Sequence, residues 1–204
     1  MIRLAVVDDH PAISAAIAAA VEGRFDIELV GRASGARDAV ELIDRTSPDV
    51  VVCDIWLDGE AAGLEILRQR AGADRPRFLV LSAFDQPSFL RAAIEAGAAG
   101  YLSKATDVGE IVDAVIAVDA GEAQWDDARL RAVARAPRPP SNREVQAIRL
   151  IAEGASNDEI AAALGISVKT VESHLRRLFG RYAVLSRTEL AMLAVREGWL
   201  TAVP

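Results

Sequence analysis

Apolar positions in the first 120 residues follow two alternating patterns. Short, nearly unbroken apolar runs, IRLAVV (2–7), IELVG (27–31), DVVVC (49–53), RFLVLS (77–82) and AAGYL (98–102), read as strands buried on both faces. PAISAAIAAAVEG, ARDAVELIDR, AAGLEILRQRA and PSFLRAAIEAG lie between them, and DVGEIVDAVIAVDAG follows the last. These segments repeat apolar residues at i, i+3, i+4 spacing, which predicts helices. Strands alternating with helices imply right-handed crossovers and a parallel sheet covered on both faces. The expected fold is an α/β, doubly wound, five-stranded sheet, whose chemistry sits beyond the C-terminal ends of its strands.

The pattern breaks after residue 120. WDDARLRAVARAPRPPS starts as a short helical segment and runs into Pro137, Pro139 and Pro140, which read as a semi-rigid linker. Beyond it there is no strand-like alternation. Ser141-Asn142-Arg143-Glu144, Ser156-Asn157-Asp158-Glu159 and Ser186-Arg187-Thr188-Glu189 each match the capping box that opens a helix. Ser167 can cap a fourth helix, VKTVESHLRRLFG. EIAAALG, a tight turn at Gly165-Ile166 and that next helix have helix-turn-helix spacing. The expected organisation is one domain over 1–120, a linker over 121–140 with a short helix and the proline-rich stretch, and a small all-α four-helix domain over 141–204.

With 51% hydrophobic and 26% charged residues in 204, the chain lies far from the composition of disordered proteins. MIRLAVVDDH lacks the basic and apolar runs of a secretory signal, and no apolar stretch is long enough for a membrane span. One cysteine, Cys53, cannot form an internal disulfide and sits in a buried-type strand, so the expectation is a cytoplasmic protein with a core thiol. His10 and His174 lie in unrelated segments without clustered cysteines, which argues against zinc.

The net charge of −7 alone disfavours nucleic acid, but its distribution reverses that. Residues 1–125 carry 11 Lys/Arg against 21 Asp/Glu, net −10, whereas residues 141–204 carry 8 against 7, net +1.

The strand ends collect Asp8 and Asp9, Asp54, Ser82 and, after the fifth strand, Lys104. In a doubly wound sheet these converge on one edge. Three crowded carboxylates call for a cation, and Mg²⁺ suits a site of one or two carboxylates, waters and a phosphate oxygen. Lys104 and Ser82 suit phosphate oxygens. The chemistry that fits is phosphoryl transfer with a carboxylate nucleophile.

On VVDDHP, VVCDIWL, VLSA and GAAGYLSK, residues 1–120 resemble a response-regulator receiver domain of the flavodoxin-like, chemotaxis-receiver type. On SNREVQAIRLIAEGASNDEIAAALGISVKTVESHLRRLF, residues 141–202 resemble the output domain of the NarL/LuxR-type family. The resemblance implies that Asp54 is the phospho-acceptor and that Asp8, Asp9, Asp54 and the backbone carbonyl of Trp56 hold Mg²⁺. Ser82 and Lys104 would contact the phosphoryl group, and Tyr101 would be the switch aromatic. It also implies a sensor histidine kinase as donor, double-stranded DNA as target and a homodimer on activation. One departure stands out: Asp58 replaces the usual proline after Leu57, and Gly63 follows the acceptor by nine residues rather than eight. Asp58 and Glu60 thus add negative charge beside Asp54 in a longer loop.

In the second helix of the motif, Glu172, Ser173 and Arg176 occupy the family's base-facing positions, while Lys169, Thr170 and Arg177 suit phosphates. Glu172 stands where lysine is common, which implies altered sequence preference and weaker nonspecific binding. Trp56 and Phe84, each two residues beyond an active-site position, suggest a shield against hydrolytic water.

Two other readings fit parts of the sequence. One is an atypical regulator binding DNA independently of phosphate. The other is an aspartate-nucleophile phosphohydrolase, which would need a general acid where Trp56 stands and would leave the helix-turn-helix unexplained, so the expectation is not an enzyme.

Overall fold

The computed structural model describes residues 1–57, 61–70, 72, 74–84 and 86–200. Two compact units divide the chain, Met1–Ala134 and Arg135–Pro204.

Unit 1 is built on strands β1 (Ile2–Val7), β2 (Ile27–Ala33), β3 (Val50–Cys53), β4 (Arg77–Ser82) and β5 (Gly100–Ser103). All pair in parallel, in the order β2-β1-β3-β4-β5. Helices α1 (Pro11–Val21), α2 (Ala36–Thr46), α3 (Ala62–Gln69), α4 (Pro87–Glu95) and α5 (Val108–Ala120) alternate with them. Successive strand residues face opposite sides of a sheet, so two cores form. Ala5, Val7, Val51, Cys53 and Val80 pack with residues of α2, α3 and α4 on one face. Leu4, Val6, Val50, Val52, Leu79 and Leu81 pack with residues of α1 and α5 on the other. Both faces being dry explains why the strands read as continuous apolar runs rather than as alternating ones.

The register positions the chemistry. Val7 pairs with Cys53, so the residues that follow, Asp8 and Asp54, leave the sheet at the same level. Asp54 N–H donates to the Val7 carbonyl at 2.8 Å. A sixth helix, α6 (Asp127–Arg135), follows α5. Residues 121–134, which the break in the strand–helix pattern groups with the linker, belong to unit 1, and Trp125 and Val133 are half-buried against its core.

Unit 2 contains α7 (Asn142–Ala152), α8 (Asn157–Leu164), α9 (Val168–Tyr182) and α10 (Arg187–Arg196) around Ile148, Ile151, Ile160, Val171, Leu178, Leu190 and Ala194. Ser141 with Glu144 and Ser156 with Glu159 form complete capping boxes. The third match is one-sided. Ser186 accepts from the Glu189 amide, but the Glu189 carboxylate takes the N–H of Leu185 instead. The N-cap φ of −144° at Ser186, against −66° and −71° at the other two, accompanies that change. Gly165 ends α8 in the left-handed region (φ 64°), a turn that suits glycine because it lacks a Cβ. Ser167 caps α9 through the Thr170 amide.

Candidate functional site

Beyond the ends of β1 and β3, the sequence places carboxylates where the backbone has just left the ladder. Asp8 and Asp54 are each 3% exposed, an expensive location for charge unless something neutralises it. Lys104 does so. Its Nζ lies 2.6 Å from Asp54 Oδ2 and 2.8 Å from Asp8 Oδ1. The lysine is carried there by the turn after β5, whose start is pinned by Lys104 N–H donating to the Ser82 carbonyl at 2.8 Å. Burial, opposed by Lys104, leaves the Asp54 carboxyl titrating above the usual carboxylate range. Burial opposes the charge on Lys104 as well, but its hydrogen bonds to Asp54 and Asp8 outweigh that and raise its pKa. The pair is therefore a tightly held cation beside an incompletely compensated acid cluster.

A lysine does not saturate the cluster. Asp8 Oδ2 is buried without a hydrogen-bond partner, and one ligand atom each from Asp8, Asp9, His10 and Asp54 lie within 4.8 Å of one another. Three carboxylates in that space fit a hard divalent cation that takes oxygen ligands. His10 is the residue that sequence reasoning missed. Its Nδ1 sits 2.7 Å from Asp9 Oδ1, 3.3 Å from Asp8 Oδ1 and 3.1 Å from Lys104 Nζ. The available signal is its place directly after Asp8-Asp9.

Trp56 and Gly63 both bond back to the residues that follow β3. Trp56 N–H donates to Asp54 Oδ1 at 3.3 Å, and Gly63 N–H donates to the Ile55 carbonyl at 3.0 Å. A Cβ on Gly63 would sit 1.8 Å from the Asp54 carbonyl oxygen, so a glycine is required there despite its one-residue displacement. Asp58 and Glu60 lie outside the described residues.

Ser82 and Tyr101 join the cluster indirectly. Ser82 is fully buried, and its Oγ accepts the Phe84 amide at 3.1 Å. Tyr101, 3% exposed, donates its hydroxyl to the Phe84 carbonyl at 2.6 Å. One residue, Phe84, thus bonds both. Its ring packs in a tilted trio with Trp56 (5.7 Å between centroids) and Phe89 (4.9 Å). Cys53 is fully buried, and that burial pushes its thiol pKa up, which leaves it a core residue without nucleophilic character.

In unit 2, Val171, Leu175 and Leu178 turn one side of α9 into the core. Lys169, Glu172, Ser173, Arg176 and Arg177 are exposed. Thr170 is half-buried, with its hydroxyl 2.8 Å from Ser167 Oγ at the helix start. The six sequence-derived positions therefore share a helix whose far end is fixed by an ion pair, Arg181 to Glu144 at 3.0 Å.

Comparison with known proteins agrees in both units. Residues 4–116 match the model of the response regulator receiver domain, and residues 140–194 match that of the bacterial regulatory proteins of the luxR family. Similar over nearly its whole length is the transcriptional regulatory protein LiaR of Bacillus subtilis, 35% identical and covering 97% of this chain and 98% of LiaR. The response regulator protein VraR of Staphylococcus aureus is 28% identical, covering 96% of this chain and 97% of VraR. Among solved structures, the response regulator ChrA of a heme-sensing two-component system matches with a TM-score of 0.55 at 32% identity, covering 97% of this chain and 98% of ChrA. RcsB of Salmonella typhimurium shares the fold with a TM-score of 0.73 at 21% identity, covering 96% of this chain and all of RcsB.

Proposed function

Because the chain belongs to the response regulators that join a receiver domain to a luxR-family domain, we propose that it is a DNA-binding transcriptional regulator controlled by phosphorylation of Asp54. The observation that carries this reading is the Lys104 bridge. One ammonium holds Asp54 and Asp8 together at the carboxyl ends of β1 and β3, with Asp9 beside them and an Asp8 oxygen left without a partner.

In this reading an Asp54 carboxylate oxygen attacks the phosphorus of a sensor kinase phosphohistidine, the P–N bond breaks, and Asp54 becomes an acyl phosphate. Asp8, Asp9, Asp54 and the Trp56 carbonyl are the groups that would hold Mg²⁺, with His10 at the rim. When bound, that ion supplies positive charge against the charge developing on the phosphoryl oxygens. Lys104 opposes the burial that raises the Asp54 pKa and offers a donor to a phosphoryl oxygen afterwards. The Ser82 hydroxyl, released from the Phe84 amide, becomes a second donor. Phe84 then moves, and Tyr101, bonded to its carbonyl, moves with it. This shifts a pre-existing equilibrium toward the DNA-binding state.

On unit 2, Glu172, Ser173 and Arg176 would face base edges, and Lys169, Thr170 and Arg177 phosphates. A net charge of +1 is a small electrostatic driving force for one copy, so two copies on paired half-sites fit better. Met192 and Val195, spaced i, i+3 on α10 and 68% and 66% exposed, offer apolar contact for such a dimer. A histidine kinase as donor and a cytoplasmic location complete the proposal. Among the described residues no helix is long and apolar enough to cross a membrane.

The test is intact-mass measurement after incubation with acetyl phosphate. A phosphoryl adduct that requires Mg²⁺ and disappears in Asp54→Asn is expected. No adduct on the native chain, with DNA binding retained, would favour a regulator working without phosphate.

A further inference from the structure

The outer edge of β5, which carries Tyr101, is not open. Residue 124 pairs with it as a one-residue extension of the sheet: Tyr101 N–H donates to the Gln124 carbonyl at 2.9 Å, and Gln124 N–H donates to the Ala99 carbonyl at 2.9 Å. Gly100 makes this approach possible. A Cβ there would lie 2.6 Å from Gln124 Cβ and 2.8 Å from its carbonyl oxygen. From Gln124 the chain continues through Trp125 into α6, and both Trp125 and, within α6, Val133 pack on the cluster that contains Phe89 and Tyr101. Arg91, on α4, closes the attachment by donating from Nη2 to the Val133 carbonyl at 2.6 Å. That carbonyl lies in the last turn of α6, where helix carbonyls lack partners within the helix.

The attachment therefore rests on the same residues that connect to the acid cluster. Ser82 holds the Phe84 amide, the Phe84 carbonyl holds the Tyr101 hydroxyl, and the Tyr101 amide holds Gln124. We propose that residues 124–135 are a docked arm at the mouth of the linker, released when the Ser82–Phe84–Tyr101 chain rearranges. The proposal rests on Asp54 being the phospho-acceptor. A phosphoryl group drawing the Ser82 hydroxyl frees Phe84, and the shift of Phe84 and the Tyr101 side chain disturbs the apolar bed on which Trp125 and Val133 pack, which loosens the arm at the β5 edge. The chain leading into Pro137–Pro140 then changes from anchored to free.

Linkage makes the coupling reciprocal: whatever detaches the arm must favour the phosphoryl-like ligand by the same factor. Two variants detach it without touching the acid cluster. Gly100→Ala wedges a methyl group against Gln124, and Arg91→Ala removes the bond to Val133 from a half-buried surface position, so it serves should the wedge disturb Leu79, 3.0 Å away.

The experiment uses the full chain with Mg²⁺ and beryllofluoride as phosphoryl mimic, read by fluorine NMR of the bound mimic and by amide hydrogen exchange. Protection over 122–135 is expected to fall when the mimic binds native protein. Both variants should lose that protection without the mimic and bind it about five- to a hundredfold more tightly. A bound resonance with unchanged protection over 122–135, or variants that free the arm and leave beryllofluoride affinity unchanged, overturns the proposal alone. Absence of any bound resonance overturns the role of Asp54, and the proposal with it.

Discussion

Replacing Lys104 with methionine isolates the electrostatics of the site, because it preserves the length of the side chain and removes only its charge. In the structure that charge faces two carboxylates, 2.6 Å from Asp54 and 2.8 Å from Asp8, and all three side chains are at least nine-tenths buried. At an effective dielectric of about 20, unit charges so close attract by ~6 kcal/mol per pair. Several kcal/mol come back because an ammonium no longer has to be buried, which leaves a net loss of about 3–5 kcal/mol for unit 1 without divalent cations. Mg²⁺ should recover most of this, since a cation among Asp8, Asp9 and Asp54 replaces the missing charge. For native protein, saturation at 100 times the dissociation constant gives ~2.7 kcal/mol. The gain in Lys104→Met should exceed the native gain measured at the same Mg²⁺ concentration. Hydrogen exchange of the β1 and β3 core amides measures this for unit 1 by itself. An equal loss with and without Mg²⁺ would refute the idea that lysine and cation answer the same charge imbalance.

Further predictions concern the loop, the output helix and its anchor. Trp56, packed tilted against Phe84 and edge-on to Phe89, should shield the acyl phosphate. Trp56→Asn is expected to speed its hydrolysis severalfold, and an unchanged decay of the phosphorylated species by mass spectrometry would dismiss the shield. Glu172 is exposed on α9, so Glu172→Lys should tighten DNA binding and steepen log K against log salt by about 0.9 if the lysine meets one phosphate, measured by fluorescence anisotropy. Burial works against the Glu144 charge, but the Ser141 amide, Arg181 and the Ser141 hydroxyl hold its pKa below the ordinary 4.5. A depressed folded pKa gives stability that is present above 4.5 and lost as the pH falls through the lowered value. Glu144→Gln should therefore cost unit 2 about 1–2 kcal/mol at pH 7, with the difference shrinking in acid, as read by denaturation at several pH values.

Much of this was legible in the sequence because it is local. A run of apolar residues closed by a polar one announces both a doubly buried strand and a candidate site at its end, and Asp8, Asp54, Ser82 and Lys104 lie at or just beyond such ends. The serine and glutamate of a capping box lie three residues apart, so Ser141 and Ser156 were readable from spacing alone. Ser186 was harder, since its spacing to Glu189 is the same and does not show that Glu189 takes the Leu185 amide. What stayed hidden depends on partners far along the chain. Nothing near Gln124 indicates that it pairs with β5, because the requirement is written at Gly100 as a missing Cβ. Likewise, the proline-rich stretch marks a linker but does not reveal that α6 before it is held by Arg91, 42 residues away. Gly63 shows the same logic within the site. Its place one residue later than in the family pattern still answers a contact with the Asp54 carbonyl.

The central claim, that a phosphoryl group on Asp54 controls DNA binding, is tested most directly by affinity for one duplex, selected in vitro with the phosphorylated chain. The comparison is between native protein and Asp54→Asn, each with and without acetyl phosphate and Mg²⁺, with the mass recorded in every sample. The account predicts at least tenfold tighter binding by native protein that carries the adduct, together with a shift to dimer in sedimentation, and no response from Asp54→Asn. Equal affinity of the phosphorylated and unphosphorylated native chains would contradict it.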